Sequence, residues 1–359
     1  MITAITDTAC THNYITIFLC AALDYIDTGA GRLAEFGLFE RFIIQGKRAL
    51  INCLVLWTNA VVPNMEYTDE AATFCLSEEE AFSFIEDVLA VRNARQKLEC
   101  DRLAFLDSLI HSMYQTIPFQ SLYRCSIPAK ERHRPPFSII KQNMMKKYGG
   151  TCETIQPFFK CLLDALGFKT DLFPGSILGN VDGHTGIVVH NLEFHGSKHM
   201  VEVGCACPVL TAILLNFEKE SQIYSHSFLT HKYLRRADGI LEWLHRSKDR
   251  DSGWFKFAEL NISKLVDISF FFVKNEADYT DPSNKFNCGV WAVRMNGNRF
   301  FAVKGSTIKW SEEQDQQLLS QNIGSKEELK AILHKNFPQF PLRMIEQALS
   351  NTRQSISPS

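Results

Sequence analysis

The sequence lacks the long runs of lysine and arginine that are typical of a nucleic-acid-binding surface. Its 38 basic and 40 acidic residues nearly balance, and the formal net charge is -2 at pH 7. A protein that binds DNA or RNA through phosphates usually carries a basic patch or stripe. We therefore predict that the protein has no nucleic-acid partner.

The sequence also lacks an apolar segment long enough to cross a membrane. The longest apolar stretch near the N-terminus, Ala49 to Pro63, is interrupted by polar residues, whereas a membrane-spanning helix needs roughly 20 apolar residues. The apolar segment from Tyr14 to Leu23 has no basic residue before it, as a secretory signal would have. These features predict a cytoplasmic protein with no membrane partner.

A CxxC pair is absent too, although the chain contains 11 cysteines. That spacing is typical of zinc and redox sites. The two nearest cysteines, Cys205 and Cys207, are separated by one residue, which is a poor spacing for an unstrained disulfide. Most of the cysteines are expected to be free thiols that pack as small apolar side chains. A special role for any of them must follow from its surroundings.

The chain does have enough apolar sequence for a sizeable core. Hydrophobic residues make up 45% of its 359 residues, which is sufficient for two or three packed domains. Residues 1–70 contain a helical pattern from Phe36 to Val55 but no motif that indicates chemistry. We treat residues 1–70 as an N-terminal extension of unknown role.

From Ser77 onward the apolar spacing is first helical and then alternating. Ser77 and Glu80 form a capping-box pattern, which begins a helix predicted to reach about Val91. Further helices are predicted at 99–114, 137–148, 152–166, 325–333 and 341–349. Strands are predicted at 170–178, 185–190, 199–204, 254–257, 268–273, 289–295 and 299–303, with a hairpin turn at Asn296-Gly297. Helices followed by strands, and then strands with terminal helices, predict an α+β fold.

Cys152 stands directly after Gly149-Gly150-Thr151 and at the start of an amphipathic helix. Glycines permit a sharp turn and leave room for a substrate close to the sulfur. A helix N-terminus favours negative charge and therefore the thiolate. Pro157 would lie past the first turn of a helix that begins at Cys152, where it costs a hydrogen bond or a kink. The local sequence fits a buried structural cysteine as well, so a catalytic cysteine requires a base from elsewhere.

His184 is the best candidate for that base, because it begins a predicted strand, and Glu202 lies in the strand that returns. Glu202 is the one acidic residue among apolar neighbours in that strand, where a carboxylate is costly unless it is paired. The two side chains share a face only if the connecting loop has an odd number of residues. Pairing His190 with Lys198 satisfies this condition and places Glu202 diagonally across from His184.

Three more histidines lie in the same region, which raises the alternative of a metal site. His195 and His199 are four residues apart, a ligand spacing that suits a helix, but they lie at a turn between strands. We predict no metal site, and we expect His190, His195 and His199 to be exposed hairpin residues.

The ordered motifs resemble those of the arylamine N-acetyltransferases. That family carries Arg-Gly-Gly-aromatic-Cys, a histidine on a strand, and Val-Asp-Val/Ala-Gly. The corresponding segments here are Tyr148-Gly-Gly-Thr-Cys152, Gly183-His184 and Val201-Glu-Val-Gly204. The segment Ile117-Pro-Phe-Gln-Ser-Leu122 also resembles the family's Val/Ile-Pro-Phe-Glu-Asn-Leu. The resemblance extends from about Ser77 to Glu346.

The resemblance implies both an architecture and a reaction. The expected domains are a helical domain with Cys152 (71–168), a β-barrel-like domain with His184 and Glu202 (169–275) and an α/β lid (276–359), on a core like that of transglutaminases. Acetyl-CoA would be the co-substrate, with no permanently bound cofactor. Its acetyl group would pass through a Cys152 thioester to an arylamine or arylhydrazine, in a ping-pong reaction. Gly183, at the end of the loop from Gly175, is the candidate for contact with the cofactor.

Three positions depart from the family pattern: Tyr148 replaces the arginine, Thr151 replaces the aromatic residue, and Glu202 replaces the aspartate. These changes leave two alternatives open. One is a different thiol-dependent acyltransferase or hydrolase on the same fold, and the other is a binding protein with weakened catalysis. The identity of the acceptor amine and the oligomeric state do not follow from the sequence.

Overall fold

The structure is a computed structural model that describes residues 70–247, 253–312 and 317–352. Of the predicted N-terminal extension, 1–70, only Glu70 falls within these ranges. The predicted helix from Phe36 to Val55 lies outside the described residues.

Helices dominate the described chain as far as residue 166, as the sequence predicted. They are α1 (Glu78–Ser83), α2 (Ala94–Cys100), α3 (Arg102–Thr116), α4 (Leu122–Ser126), α5 (Phe137–Met145) and α6 (Cys152–Ala165). The capping box at Ser77 and Glu80 is present, and a π-helical turn, Phe84–Val88, continues α1. The single helix predicted at 99–114 was wrong at its start. Asp101 adopts an extended conformation between α2 and α3 and caps α3 by accepting a hydrogen bond from Ala104 N.

An eight-stranded antiparallel sheet follows and curls into a half-barrel. Its strands are β2 (Lys169–Ile177), β3 (Asn180–His190), β4 (Lys198–Val201), β5 (Ile213–Leu214), β6 (Tyr224–His226), β7 (Leu229–Arg235), β8 (Leu241–Ser247) and β9 (Phe255–Leu260). Their spatial order is β5-β4-β3-β2-β9-β8-β7-β6. The predicted strands from 170 to 204 and at 254–257 correspond to β2, β3, β4 and β9, whereas β5 to β8 were missed.

The C-terminal part of the chain pairs a second sheet with helices. A short strand from the helical region, β1 (Phe119–Gln120), forms one edge of this five-stranded sheet. The other strands are β10 (Trp291–Asn296), β11 (Arg299–Lys304), β12 (Thr307–Ser311) and β13 (Leu318–Asn322), and the terminal helices are α9 (Lys326–Asn336) and α10 (Leu342–Asn351). The predicted turn between β10 and β11 is present, with Gly297 at φ +60°.

The predicted strand at 268–273 was wrong, because this segment is helical. A 3₁₀ turn, Ile268–Phe271, leads into α7 (Phe272–Thr280), and a short helix α8 (Lys285–Cys288) follows. Asp267 starts the turn by accepting a hydrogen bond from Ser269 N. The predicted boundary between 275 and 276 therefore falls inside α7, and the domain limits remain a prediction.

The α+β fold predicted from the element order is confirmed. One large apolar core joins the helical region to the first strands of the half-barrel, a second fills the half-barrel, and a third lies between the five-stranded sheet and helices α9 and α10. Within the described ranges, none of the helices has the length and apolar character of a membrane span. The cytoplasmic location remains a prediction.

Candidate active site

The glycine pair before Cys152 folds into a turn that only glycine fits. Gly149 has φ +69°, and a Cβ atom there would lie 2.1 Å from the carbonyl oxygen of Pro118. Gly150 accepts a hydrogen bond from Gln120 N at 2.7 Å, and its own N–H donates to Pro118 O at 3.4 Å. The turn is therefore attached to β1, which explains why the Pro-Phe-Gln segment accompanies the glycine pair in the sequence.

Helix α6 begins at Cys152, with Thr151 as its extended N-cap. Pro157 lies inside the helix, so the hydrogen bond that its missing N–H would make is absent. Cys152 is 8% exposed, and its Sγ lies 3.7 Å from the carbonyl oxygen of Gly183, to which the thiol can donate. The thiol thus stands at the helix N-terminus, next to the residue that precedes His184.

The β3–β4 hairpin has the register that the sequence predicted. His190 pairs with Lys198 and Ile187 pairs with Val201, so the loop 191–197 has an odd number of residues. His184 Nε2 and Glu202 Oε2 are 2.6 Å apart, and the two side chains are 1% and 3% exposed. Gly175, opposite His184 on β2, makes room for the imidazole, because a Cβ atom there would lie 3.3 Å from His184 Cδ2.

The His184 imidazole is strongly basic for a buried histidine. Burial opposes its positive charge, but the Glu202 carboxylate and the Cys152 thiol outweigh burial and raise the pKa of His184 to about 10. Since Glu202 occupies Nε2, Nδ1 is the nitrogen available to the thiol. Nδ1 has no hydrogen-bond partner among the described residues that meets normal geometry, so no other described group competes with the Cys152 thiol for this nitrogen.

Glu202 has two further partners that the sequence did not reveal. Its Oε1 accepts hydrogen bonds from Gln156 Nε2 at 2.9 Å and from Gly204 N at 2.8 Å. Gln156 lies one helical turn after Cys152 on α6, and a polar residue four positions from the nucleophile on an apolar face was the available signal. Each oxygen of the carboxylate therefore has its own donor or donors.

A buried ion pair lies beside the nucleophile. Arg124 Nη2 and Glu153 Oε2 are 2.8 Å apart, with side chains 3% and 6% exposed. Thr151 Oγ1 donates to the same Glu153 oxygen at 3.0 Å, and the Arg124 guanidinium stacks 3.4 Å over the ring of Tyr279. The pair connects α4, the first turn of α6 and α7, and the sequence reading missed it.

A narrow cleft begins directly after Glu202. The segment 203–208 forms one side, with Cys205 and Cys207 among its residues, and Tyr114, Val293 and Phe300 lie across from it. Tyr114 Oη donates to the carbonyl of Cys207 at 2.8 Å, which fixes this segment to α3. The cleft is lined mainly by apolar and thiol side chains.

The candidate cofactor residue Gly183 lies at the partly exposed edge of this arrangement. A Cβ atom on Gly183 would come within 2.0 Å of the Asn180 side chain. Leu178 and Val181, in the same β2–β3 hairpin, are 66% and 68% exposed. The hairpin thus presents an open, largely apolar edge next to the thiol.

The other histidines of the region differ from the prediction. His195 is exposed as expected, but His190 is partly buried and lies 2.8 Å from Asp171. His199 is 1% exposed, and its Nε2 lies 2.9 Å from Glu193, because the register turns this side chain inward. Within the described residues, we find no group of three or more histidine, cysteine or acidic side chains that could hold a metal ion.

Comparison with known proteins gives a family match across most of the described chain. A family model for N-acetyltransferases matches residues 102–341. This range contains Cys152, His184 and Glu202. Among curated proteins, no sequence relative was found.

Solved structures with a similar fold are arylamine N-acetyltransferases. The M. tuberculosis enzyme is 17% identical with a TM-score of 0.59, and the match covers 71% of this chain and 93% of that one. The Mycobacterium marinum enzyme in complex with CoA is 15% identical with a TM-score of 0.60, covering 74% and 98%. The Salmonella typhimurium enzyme is 12% identical with a TM-score of 0.60, covering 76% and 98%. At these identities, the similarity establishes the fold.

Proposed function

Because the chain belongs to the arylamine N-acetyltransferase family, a family of enzymes that transfer acetyl groups, we propose that it acts through Cys152, His184 and Glu202. The proposed reaction moves acetyl from acetyl-CoA to the nitrogen of an arylamine or arylhydrazine. The observation that carries the proposal is the 2.6 Å contact between the buried His184 and Glu202 side chains, beside the Cys152 thiol.

The proposed first half-reaction forms a thioester on Cys152. His184 Nδ1 holds the thiol proton as an imidazolium, which Glu202 stabilises at Nε2. The Cys152 thiolate attacks the acetyl carbonyl carbon, the bond between that carbon and the CoA sulfur breaks, and the imidazolium returns its proton to the leaving thiolate. The products are free CoA and acetyl-Cys152.

The second half-reaction transfers the acetyl group to the amine. The amine nitrogen attacks the thioester carbonyl, and neutral His184 accepts the nitrogen's proton. The carbon–sulfur bond breaks, which regenerates the Cys152 thiolate beside the imidazolium and releases the amide. The Gly149-Gly150 turn fixes the position of the sulfur, because it brings the chain against Pro118 and Thr154 so closely that a Cβ atom at either glycine would collide.

For the cofactor, we propose that acetyl-CoA approaches along the β2–β3 hairpin at Gly183. Two observations support this path: the Gly183 carbonyl faces the Cys152 thiol at 3.7 Å, and the hairpin edge is open to solvent. The similar M. marinum structure contains CoA. A side chain on Gly183 would displace Asn180, so Gly183→Ala should raise the KM for acetyl-CoA more than it lowers kcat.

The direct test is acetylation of the purified full-length protein by acetyl-CoA, followed by mass spectrometry. We expect one acetyl group on the intact protein, on Cys152, and none on Cys152→Ala. Cys161→Ala is the matched control, because Cys161 is a buried thiol of the same helix whose pKa burial raises to about 12. It should acetylate as the wild type does.

Two results would overturn the proposed function. Absence of any acetyl adduct, with Cys152 still alkylated rapidly by iodoacetamide, would favour another thiol-dependent acyltransferase or a hydrolase. Slow alkylation of Cys152, at the rate of a free cysteine, would favour a binding protein with weakened catalysis.

A further inference from the structure

Gln156 is a fully buried polar residue whose hydrogen bonds, within the described part of the chain, go to Glu202 and its two neighbours in sequence. Its exposed fraction is 0%. Its Nε2 donates to Glu202 Oε1 at 2.9 Å and approaches Val201 O at 3.5 Å, and its Oε1 accepts from Val203 N at 3.4 Å. A buried amide is retained at low cost only when such partners satisfy it.

The position of Gln156 on α6 links it to the nucleophile. Residues four apart lie on the same face of a helix, so Gln156 projects from the same side of α6 as Cys152, one turn further along. Gly204 allows this close approach, because a Cβ atom there would lie 2.6 Å from Gln156 Cγ and 3.1 Å from Cys152 Cα. Helix α6, which carries the thiol, therefore also hydrogen-bonds directly to the Glu202 carboxylate.

The Glu202 carboxylate requires hydrogen bonds that fix its orientation, because the glutamate side chain is long. A glutamate has more rotatable bonds than an aspartate, so fixing its carboxylate costs more conformational entropy. Gln156 and Gly204 N hold Oε1, and this leaves Oε2 directed at His184 Nε2. Without Gln156, the described contacts leave Gly204 N as the donor to Oε1.

We propose that Gln156 is a positioning residue for the reaction: it orients the Glu202 carboxylate towards His184 and acts on the Cys152 thiol through these two residues. This proposal rests on the proposed function for the roles of the three residues. It goes beyond that function because it gives α6, the helix that carries Cys152, a second role: it orients the Glu202 carboxylate through Gln156.

The test measures the rate at which iodoacetamide alkylates Cys152 between pH 5 and 9, in the full-length protein. Gln156→Met keeps the length of the side chain and removes its polar atoms. Because the imidazolium is then held less firmly, we expect the thiolate to form at a higher pH. The acid limb of the profile should move up by about one pH unit, and at a pH below both limbs the rate should fall about tenfold.

A double-mutant cycle with Glu202→Gln separates positioning from simple packing. If Gln156 acts through the carboxylate, Gln156→Met should change the alkylation rate by less than about twofold in the Glu202→Gln background. Thr154→Val is the matched control, since it removes a buried hydroxyl of the same helix that bonds to Thr151 O. It should leave the pH profile in place.

Equal effects of Gln156→Met in both backgrounds, or an unshifted pH profile, would overturn the proposal. If Gln156→Met fails to fold by circular dichroism, Gln156→Asn replaces it, because the shorter amide keeps its polarity and loses its reach. Asn at this position should shift the profile in the same direction, and a wild-type profile would contradict the proposal. Alkylation needs no acetyl-CoA, so failure of acetyl transfer alone would count against the proposed function and leave the positioning role standing.

Discussion

Two buried histidines of the half-barrel sheet have opposite affinities for a proton. His184 on β3 is 1% exposed, and His231 on β7 is 0% exposed. The Glu202 carboxylate overcomes burial at His184 and raises its pKa to about 10. Burial lowers the pKa of His231 to about 2, and the nearby imidazoles His226 and His245 add to this effect. The two residues share a sheet and a degree of burial, so their neighbours account for the difference: Glu202 with Cys152 at His184, and two imidazoles at His231.

The comparison shows what makes His184 a candidate base. His231 Nδ1 accepts a hydrogen bond from the Trp243 indole at 3.3 Å, and its Nε2 has no hydrogen-bond partner in the described part of the chain. An uncharged donor orients a ring but does not stabilise an imidazolium. Four substitutions at or beside buried groups should therefore change activity or stability, the first most and the last least.

The largest effect is expected when the acid of His184 is removed. In Glu202→Gln, the amide oxygen should take the place of Oε1, because Gln156 Nε2 and Gly204 N donate there. The amide nitrogen would then donate to His184 Nε2, so Nδ1 must carry the proton and cannot accept one from Cys152. We expect the rate of Cys152 acetylation, measured in single turnovers, to fall by roughly 10³–10⁴-fold.

Glu202→Asp is the matched control for this change, since it keeps the charge and shortens the side chain by one methylene. It should retain much more activity than Glu202→Gln. A rate within tenfold of the wild type in Glu202→Gln would mean that the carboxylate does not set the state of His184.

The second change removes the cation from the buried Arg124–Glu153 pair. Arg124→Met leaves the Glu153 carboxylate with Thr151 as its remaining described partner. Burial already raises the pKa of Glu153 against the influence of Arg124. Loss of one partner of a buried pair costs about 3–5 kcal/mol, which urea unfolding should detect. Arg124→Met with Glu153→Gln should recover part of the loss; no recovery would contradict an electrostatic origin.

The sequence predicted the β3–β4 hairpin well because the paired parts of both strands are short, largely apolar runs that are buried on both faces. Ile187, Val189 and Val201 are apolar and buried, and Glu202 stands out among such residues. An odd loop then places His184 and Glu202 on one face, and the pairing of His190 with Lys198 is one register that satisfies this condition. Gln156 and Arg124 could not be found in the same way, because their partners are distant in sequence and only the packed helices bring them together.

The missed strands β7 and β8 are the same region that contains His231. Leu229, His231 and Tyr233 alternate inward on β7, as do Leu241, Trp243 and His245 on β8, and all six are buried. Histidine and tyrosine count as polar in a hydrophobic pattern, so the period of two was hidden. The strand prediction for 268–273 was wrong for a different reason: a short apolar run fits a strand and a buried helix equally well.

The third change tests how the depressed pKa of His231 affects stability. Because the folded-state pKa of His231 is depressed, the unfolded chain binds more protons below about pH 6.5, and stability is lost as the pH falls. This residue alone should cost about 2 kcal/mol between pH 6.5 and pH 5. His231→Phe should flatten the dependence of the free energy of unfolding on pH in that window, as measured by urea titrations. An unchanged slope would show that His231 does not titrate on unfolding.

His184 should show the reverse pH dependence. Its folded-state pKa is raised, so its contribution to stability is complete below about pH 6.5 and is lost as the pH rises towards 10. The contributions of these two equally buried histidines to the free energy of unfolding should therefore change with pH in opposite directions.

The smallest effect is expected at His199, a buried histidine whose acidic partner is more exposed than Glu202. It is 1% exposed, but the side chain of its partner Glu193 is 36% exposed, at an Nε2–Oε2 distance of 2.9 Å. Water screens a carboxylate at that position, and its loop must also be ordered to make the contact. Glu193→Gln should therefore change the free energy of unfolding by less than about 1 kcal/mol, and less in 0.5 M salt than at low salt. A larger loss would mean that a partly exposed acid stabilises a buried histidine strongly, and the burial of Glu202 would then not be what distinguishes His184.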